Sequence, residues 1–242
     1  MVHPDKPYRM MSVAKFPQAL KILSMIQHKE LPEDYQFEIT AEDMKQGTFS
    51  TLPSDHPETP FRLSVEEVLG YAIGQSDNVT SNRMFEVAGG PDSVERFVRS
   101  LGIQDIGIRV DYWHLNDETA YYNWSTPRAM ALLLEKFYQG KILDETRRQI
   151  LLEAMINGPS GKNRIRGLMP EGVRVAHKTG TGNTDDATGR IMALNDVGII
   201  ELQDNRHITL AIFISDSFEG DDSTERLIAD IARVAYDYYM VK

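Results

Sequence analysis

The chain of 242 residues contains no cysteine. That excludes disulfides, thiolate metal sites and cysteine nucleophiles, and leaves the redox compartment open. No apolar run approaches the ~20 residues that span a bilayer. Basic residues are outnumbered, 26 Lys and Arg against 36 Asp and Glu, for a formal charge of −10. A phosphate-binding surface needs the opposite sign, so nucleic acid is excluded as the main partner. The six histidines are scattered without a His-x-x-x-His pair, and no Gly-rich phosphate loop is present. No metal and no cofactor is therefore expected. The opening "MVHPDKPYRM" lacks the apolar core of a signal peptide, so the expectation is a cytoplasmic protein or a chain given without its leader.

What remains is the composition of an ordinary globular protein, 41% hydrophobic and 26% charged. Periodicity predicts a first helix over 12–28, with Phe16, Ala19, Leu20, Leu23 and Ile26 on one face. Pro17 is acceptable there if it falls in the first turns. A polar, Pro-rich region follows over 31–60. Ser64-x-x-Glu67 reads as a capping box for a helix to about Gly74. Further helices are expected over 78–87, from an Asp92-x-x-Glu95 cap to 101–102, over 126–138 and over 144–156, with 102–124 irregular.

The pattern changes after Gly158. "VRVAHKTG", "GRIMALNDVGIIEL" and "HITLAIFIS" read as strands, the last two joined by the polar turn "QDNR". The third is apolar on both faces and is expected to be buried. Asp222-x-x-Glu225 is expected to cap a final helix, with Leu227, Ile228, Ile231, Val234, Ala235 and Tyr238 facing inward. The predicted class is α/β: an antiparallel sheet lobe with flanking helices beside an all-helical lobe. One domain over 1–242 is expected, with the helical lobe at about 12–157 and the sheet lobe at about 158–242 plus the N-terminal residues. A cleft between such lobes is a common place for an active site.

Three short motifs carry the chemistry. Ser12-x-x-Lys15 places a hydroxyl and an amine one helical turn apart on one face. A neutral amine there can take the serine proton, and a helix N-terminus favours the developing negative charge. Alone the spacing says little, since Ser-x-x-Lys arises by chance about once in a chain of this length. Ser76-Asp77-Asn78 and Lys178-Thr179-Gly180 are each expected by chance in only a few per cent of such chains. In the order S-x-x-K, S-D-N, K-T-G they form the set of class A β-lactamases and penicillin-binding proteins.

With these motifs the chain resembles the class A serine β-lactamases along nearly its whole length. "AHKTGT", "YYNWSTP" and "GLMPEGVRVAHKTG" are most similar to the subgroup of extended-spectrum enzymes and Bacteroides-type cephalosporinases. The resemblance implies a β-lactamase/DD-peptidase-like fold and a β-lactam as small-molecule partner. It implies Ser12 as nucleophile, Lys15 as its proton acceptor, and Ser76 as proton relay to the departing nitrogen. Asn78 would hold the substrate amide. Lys178, Thr179, Gly180 and Thr181 would line the strand edge and bind the substrate carboxylate. The N–H groups of Ser12 and Thr181 would form the oxyanion hole. Arg164 matches an arginine that supports carboxylate binding in the subgroup; from the residues alone it is equally a surface arginine. A periplasmic location and a monomer are implied as well.

Two departures from the family stand out. Only eleven residues precede Ser12, so a helix and two sheet strands of the family are expected to be missing and a sheet edge exposed. In the loop "RVDYWHLNDE", no Glu stands where the family activates the deacylating water. Asp111 and His114 are the candidate bases in its place. Each has a plainer reading, a loop salt bridge for Asp111 and a packed loop residue for His114. Impaired deacylation is therefore expected. The alternatives to a turning-over β-lactamase are a β-lactam-binding sensor module and a penicillin-binding, DD-peptidase-like protein.

Overall fold

The computed structural model describes residues 1–45, 47–203 and 206–241. The chain opens with a two-residue strand, β1 (Tyr8–Arg9), a 3-10 turn over Met11–Ala14 and helix α1 (Lys15–Gln27). Ser12 therefore lies in the tight turn and Lys15 at the helix start, not inside one α-helix from residue 12. Pro17 falls in the first turn of α1, as its missing N–H requires. A hairpin pair, β2 (Gln36–Ile39) and β3 (Phe61–Ser64), brackets the short helices α2 (Ala41–Lys45) and α3 (Leu52–Asp55). The polar stretch over 31–60 thus holds structure that its composition conceals.

The Ser64 capping box forms, and α4 (Val65–Leu69) runs into a π-helical turn over Gly70–Gly74. Helices α5 (Asn78–Val87) and α6 (Pro91–Ser100) follow. Asp92 does not cap α6. The helix already starts at Pro91, and Glu95 turns inward to accept the Ile108 N–H at 2.8 Å. The stretch expected to be irregular contains β4 (Ile106–Gly107), a 3-10 turn over Thr119–Tyr122 and β5 (Trp124–Ser125). These strands join β1 in a small sheet of order β1-β5-β4. Helices α7 (Pro127–Tyr138) and α8 (Glu145–Asn157) start at the side-chain caps Thr126 and Asp144. The helical lobe closes around α1, where the Phe16 ring meets Phe137 edge-on with centroids 5.5 Å apart.

The three late strands are β6 (Val175–Thr181), β7 (Ile191–Glu201) and β8 (His207–Ser217), in the order β6-β7-β8. Both pairings are antiparallel, as a meander requires. Of the turn "QDNR", Asp204 and Asn205 lie outside the described residues. β7 is buried along nearly its whole length. β8 is not the fully buried strand its apolar run suggests. It pairs only with β7 among the described residues, and only Ile208 and Phe213 are buried on it. The other edge of β8 is thus unpaired within this sheet.

The last helix, α9 (Gly220–Met240), packs on β7 and β8. Its start is not an Asp222 cap. Glu219 occupies the N-cap without a side-chain bond, and Glu225 is engaged by Arg164. The helix carries two apolar stripes. Ile228, Ala229 and Ala232 are buried, whereas Leu227, Ile231, Val234 and Tyr238 are exposed rather than inward-facing. The exposed four are spaced i, i+4, i+7, i+11, so a sequence reading merges both stripes into one broad face.

β6 passes tightly beside the Ser12 turn. A Cβ on Gly180 would stand 2.4 Å from the Met10 carbonyl oxygen, so only glycine fits. Gly180→Ala is expected to force the turn off the strand at about 1–3 kcal/mol, the usual range for overpacking. A chemical-denaturation midpoint checks this; an unchanged midpoint would refute the tight fit.

Candidate active site

The cleft between the lobes has a volume of about 450 Å³ and is lined by Ser12, Ser76, Asn78, Tyr112, Thr179 and Thr181, among others. Ser12 reaches it from a turn whose preceding residue, Met11, has φ +49°. A methionine in the left-handed region is strained and persists only where surroundings impose it. Here the Asn195 side chain donates to the carbonyls of Arg9 (2.9 Å) and Met10 (3.3 Å). The Tyr112 hydroxyl donates to the Met11 carbonyl (3.2 Å).

Lys15 is fully buried beneath Ser12. Its Nζ donates to the Ser76 carbonyl (2.6 Å), to Asn78 Oδ1 (2.6 Å) and, at 3.3 Å, to Ser12 Oγ. The Tyr112 ring lies below, 4.3 Å from Nζ to centroid. Among the described residues no carboxylate is hydrogen-bonded to Lys15. Burial first, then the nearby Lys178 charge, hold this amine well below its ordinary range, and the Asp77 charge opposes them.

The Ser-Asp-Asn triplet divides its labour. Ser76 sits at φ +62° in the turn before α5. Asp77 is scaffold. It caps α5 by accepting Thr80 N (2.8 Å) and also accepts Ser50 Oγ (2.5 Å) and Thr51 N (2.8 Å). Asn78 is held by donating to Thr48 Oγ1 (2.8 Å), which aims its oxygen at Lys15.

The third motif closes the cleft from β6. Lys178 Nζ donates to Ser76 Oγ (3.0 Å) and to the Thr179 carbonyl (3.1 Å). Burial lowers its pKa to about 7; Asp196 acts against that shift and Arg164 adds to it. Arg164 is 6% exposed and so not a surface arginine. Its guanidinium donates to Thr181 Oγ1 (2.8 Å), the Asn195 carbonyl (2.9 Å) and Glu225 (2.9 Å).

The loop candidates Asp111 and His114 are not brought to the cleft. Asp111 Oδ1 accepts the N–H groups of Trp113 (3.0 Å) and His114 (2.9 Å), and His114 Nδ1 lies 2.7 Å away from the same oxygen. The His114 side chain is 76% exposed. Tyr112, Leu115, Asn116 and Asp117 line the cleft from this loop instead. Asp117 accepts Asn183 Nδ2 from across the cleft at 2.8 Å.

Two buried contributors escape a reading of the sequence alone. Tyr112 hides in the loop motif as one aromatic between Asp111 and Trp113. Asn82 accepts the Tyr112 N–H at 2.7 Å, and its own Nδ2 is buried without a partner. The sequence does carry a signal for Asn82, since it follows Asn78 by four residues and so shares its helical face.

Comparison with known proteins agrees with this geometry. The profile of the beta-lactamase enzyme family matches residues 1–239. The chain is 34% identical to beta-lactamase VEB-1 of Pseudomonas aeruginosa, over all of this chain and 81% of that protein. A beta-lactamase structure from Chitinophaga pinensis superposes with a TM-score of 0.94 at 32% identity, covering 98% of this chain and 88% of the other. A class A beta-lactamase structure from Bacteroides cellulosilyticus gives a TM-score of 0.94 at 28% identity, covering 99% and 86%. Motifs, cleft and likeness converge: the chain belongs to the class A serine β-lactamases, a family of β-lactam-hydrolysing enzymes.

Proposed function

We propose that this chain, a single two-lobed domain acting as a monomer in the periplasm, opens β-lactam rings through an acyl-Ser12 intermediate that it releases slowly. The observation that carries the reading is the buried Lys15, bonded to Ser12, Ser76 and Asn78 and, among the described residues, to no carboxylate. In its neutral form Lys15 Nζ takes the Ser12 proton as Oγ attacks the lactam carbonyl carbon. The carbonyl oxygen gains negative charge, held by the N–H groups of Ser12 and Thr181. The C–N bond then breaks. Ser76 Oγ gives its proton to the departing nitrogen, and the proton that Lys15 took from Ser12 makes good the loss, so Lys178, 3.0 Å from Ser76 Oγ, keeps its charge. Asn78 holds the substrate amide. Lys178, Thr179, Thr181 and Arg164 bind the substrate carboxylate, and Gly180 leaves room for the Ser12 turn.

Deacylation lacks a comparable base. Asp111 and His114 bond to one another outside the cleft lining. The Tyr112 phenol is pushed far above its ordinary range by burial, so it stays protonated and accepts no proton. Asp117 is already engaged by Asn183. The same features favour a second reading, a β-lactam-binding or DD-peptidase-like protein that remains acylated.

Three outcomes test these statements. Intact mass after one equivalent of a penicillin is expected to show an adduct on Ser12 that persists for minutes, with a product burst before slow turnover. General-base assistance is worth about 10²–10⁴-fold, and that factor is the one missing. Immediate return to free protein, or full labelling of Ser12→Ala, would sink the mechanism. His114→Gln is expected to change the steady rate by less than about threefold, since the ring stands outside the cleft; a general base in this role is worth at least the low end of that range. A larger loss would restore His114 as base.

The two lysines set opposite limbs of the pH profile. Lys15 must be neutral to act, so acylation falls as pH drops through its lowered pKa. Lys178 must be charged to bind a carboxylate. Its pKa near 7 means that charge is present below neutrality and lost as pH rises above it. For carboxylate-bearing substrates kcat/KM is expected to fall on both sides, the alkaline fall coming from KM. A carboxylate-esterified substrate should lack the alkaline limb; an identical profile for both would remove Lys178 from carboxylate binding.

A further inference from the structure

Behind the cleft lies a buried histidine–carboxylate pair that the mechanism above does not use. Asp196, on β7, is fully buried, and His177, on β6, is 4% exposed. His177 Nδ1 lies 2.8 and 3.0 Å from the two Asp196 oxygens. Asp196 Oδ2 also accepts the Ile165 N–H at 3.0 Å. A buried carboxylate in the middle of an apolar strand is costly unless it is bonded on all sides, so its presence calls for a role.

The strand register shows what it touches. Asp196 pairs with Thr179 and Gly198 with His177, so these four share one face of the sheet. That face receives the segment around 161–165. A Cβ on Gly161 would meet Thr179 Cγ2 at 2.4 Å and His177 Cε1 at 3.1 Å. A Cβ on Gly198 would stand 2.7 Å from His177 Cβ, so glycine opposite the imidazole makes the room for it. Lys178 and Gly180 face the other way, toward Ser76 and Met10. Asp196 therefore stands where two layers meet. Its hydrogen bond anchors the residue directly after Arg164, and its charge acts on Lys178 through the strand.

We propose that Asp196 is a positioning residue for substrate recognition: it fixes Arg164 against Thr181 through the Ile165 N–H and supplies the buried negative charge that keeps Lys178 cationic beside it. This rests on the reading of Arg164 and Lys178 as carboxylate binders. Without Asp196, the buried cations Arg164 and Lys178 would lose the anion between them, and Glu225, bonded to Arg164 from α9, would remain on the Arg164 side alone. The other charges around Lys178 work the same way. Lys15 on α1 is a cation or a neutral amine, and Asp77 is committed to capping α5. Arg166 donates to the carbonyls of Ile156, Gly158 and Val175 and adds positive charge on the Asp196 side. His177 orients the carboxylate from the neighbouring strand.

The test is the pH dependence of KM for a carboxylate-bearing penicillin and for its carboxylate ester, in the wild-type enzyme, Asp196→Asn, His177→Gln and Glu225→Gln. Asp196→Asn should move the alkaline rise in KM down by about one pH unit, the size expected on removing a nearby opposite charge. It should leave KM for the ester unchanged. His177→Gln should leave the limb in place. Glu225→Gln, which releases Arg164 without touching Lys178, should raise KM at every pH without moving the limb. A purely structural Asp196 would lower the unfolding midpoint and leave the limb where it is; that result overturns the proposal. If Asp196→Asn does not fold, Asp196→Ser removes the same charge in a smaller volume, and an unshifted limb there overturns it equally. Failure of the wild-type enzyme to distinguish acid from ester would instead count against the carboxylate reading on which the proposal rests.

Discussion

A lysine amine with no exposed surface and, among the described residues, no carboxylate partner is the constraint around which the cleft is organised. Lys15 has three acceptors, the Ser12 hydroxyl, the Ser76 carbonyl and the Asn78 amide oxygen. None carries a full charge, so burial is opposed only in part, by the Asp77 charge, and the amine loses its proton more readily than lysine does in water. Each acceptor must then be held from behind. Asn78 leans on Thr48, the Ser76 turn on the Asp77 cap, and the Ser12 turn on Asn195 and Tyr112. The strained backbone at Met11 and Ser76 belongs to the same arrangement, since both residues deliver groups to one nitrogen or its neighbours.

The helical lobe alone cannot hold this geometry. Two consecutive residues in the middle of β7 tie it to the sheet. Asn195 binds the carbonyls just before the Ser12 turn, and Asp196 binds the backbone just after Arg164. Neighbours along a strand point to opposite faces, so one polar dipeptide serves both layers. Gly180, in register with Asn195, completes the contact by letting the Met10 carbonyl approach. Here the sheet acts as a ruler for the cleft, and the order of polar residues along β7 sets the scale.

Much of this is legible in the amino-acid sequence itself. The three motifs, the capping box at Ser64 and the late meander depend on local chemistry and short spacing, which a sequence carries directly. The β2–β3 pair is not legible, because its strands lie 21 residues apart across a polar stretch and pair without a turn signal. The α9 stripe misleads because an apolar period shows that a face exists, not whether a partner covers it. Asp92 and Asp222 fit a cap pattern, yet the helices start elsewhere and Glu95 and Glu225 find distant partners. The polar pair inside "MALNDVGII" is the subtler signal: a buried Asn-Asp between apolar runs marks a place where the core does more than pack.

The cleft asks opposite things of two lysines. In the proposed mechanism Lys15 serves as a neutral base and Lys178 as a cation, yet both are buried and the Lys178 charge disfavours that of Lys15. Their surroundings separate them. Lys178 has the Asp196 carboxylate behind its strand, whereas the charge helping Lys15 is Asp77, whose oxygens already serve the α5 cap, the Ser50 hydroxyl and the Thr51 N–H. Paired titratable groups driven apart by environment are how one site runs acid and base steps at one pH. A carboxylate placed beside Lys15 to activate water would also draw its proton back, raising the pKa that burial has lowered. With the Tyr112 ring beneath Lys15 instead, the proposed mechanism leaves the amine free to accept the Ser12 proton and the water of the second step without a base. In the proposed mechanism, the tyrosine that favours acylation therefore works against release.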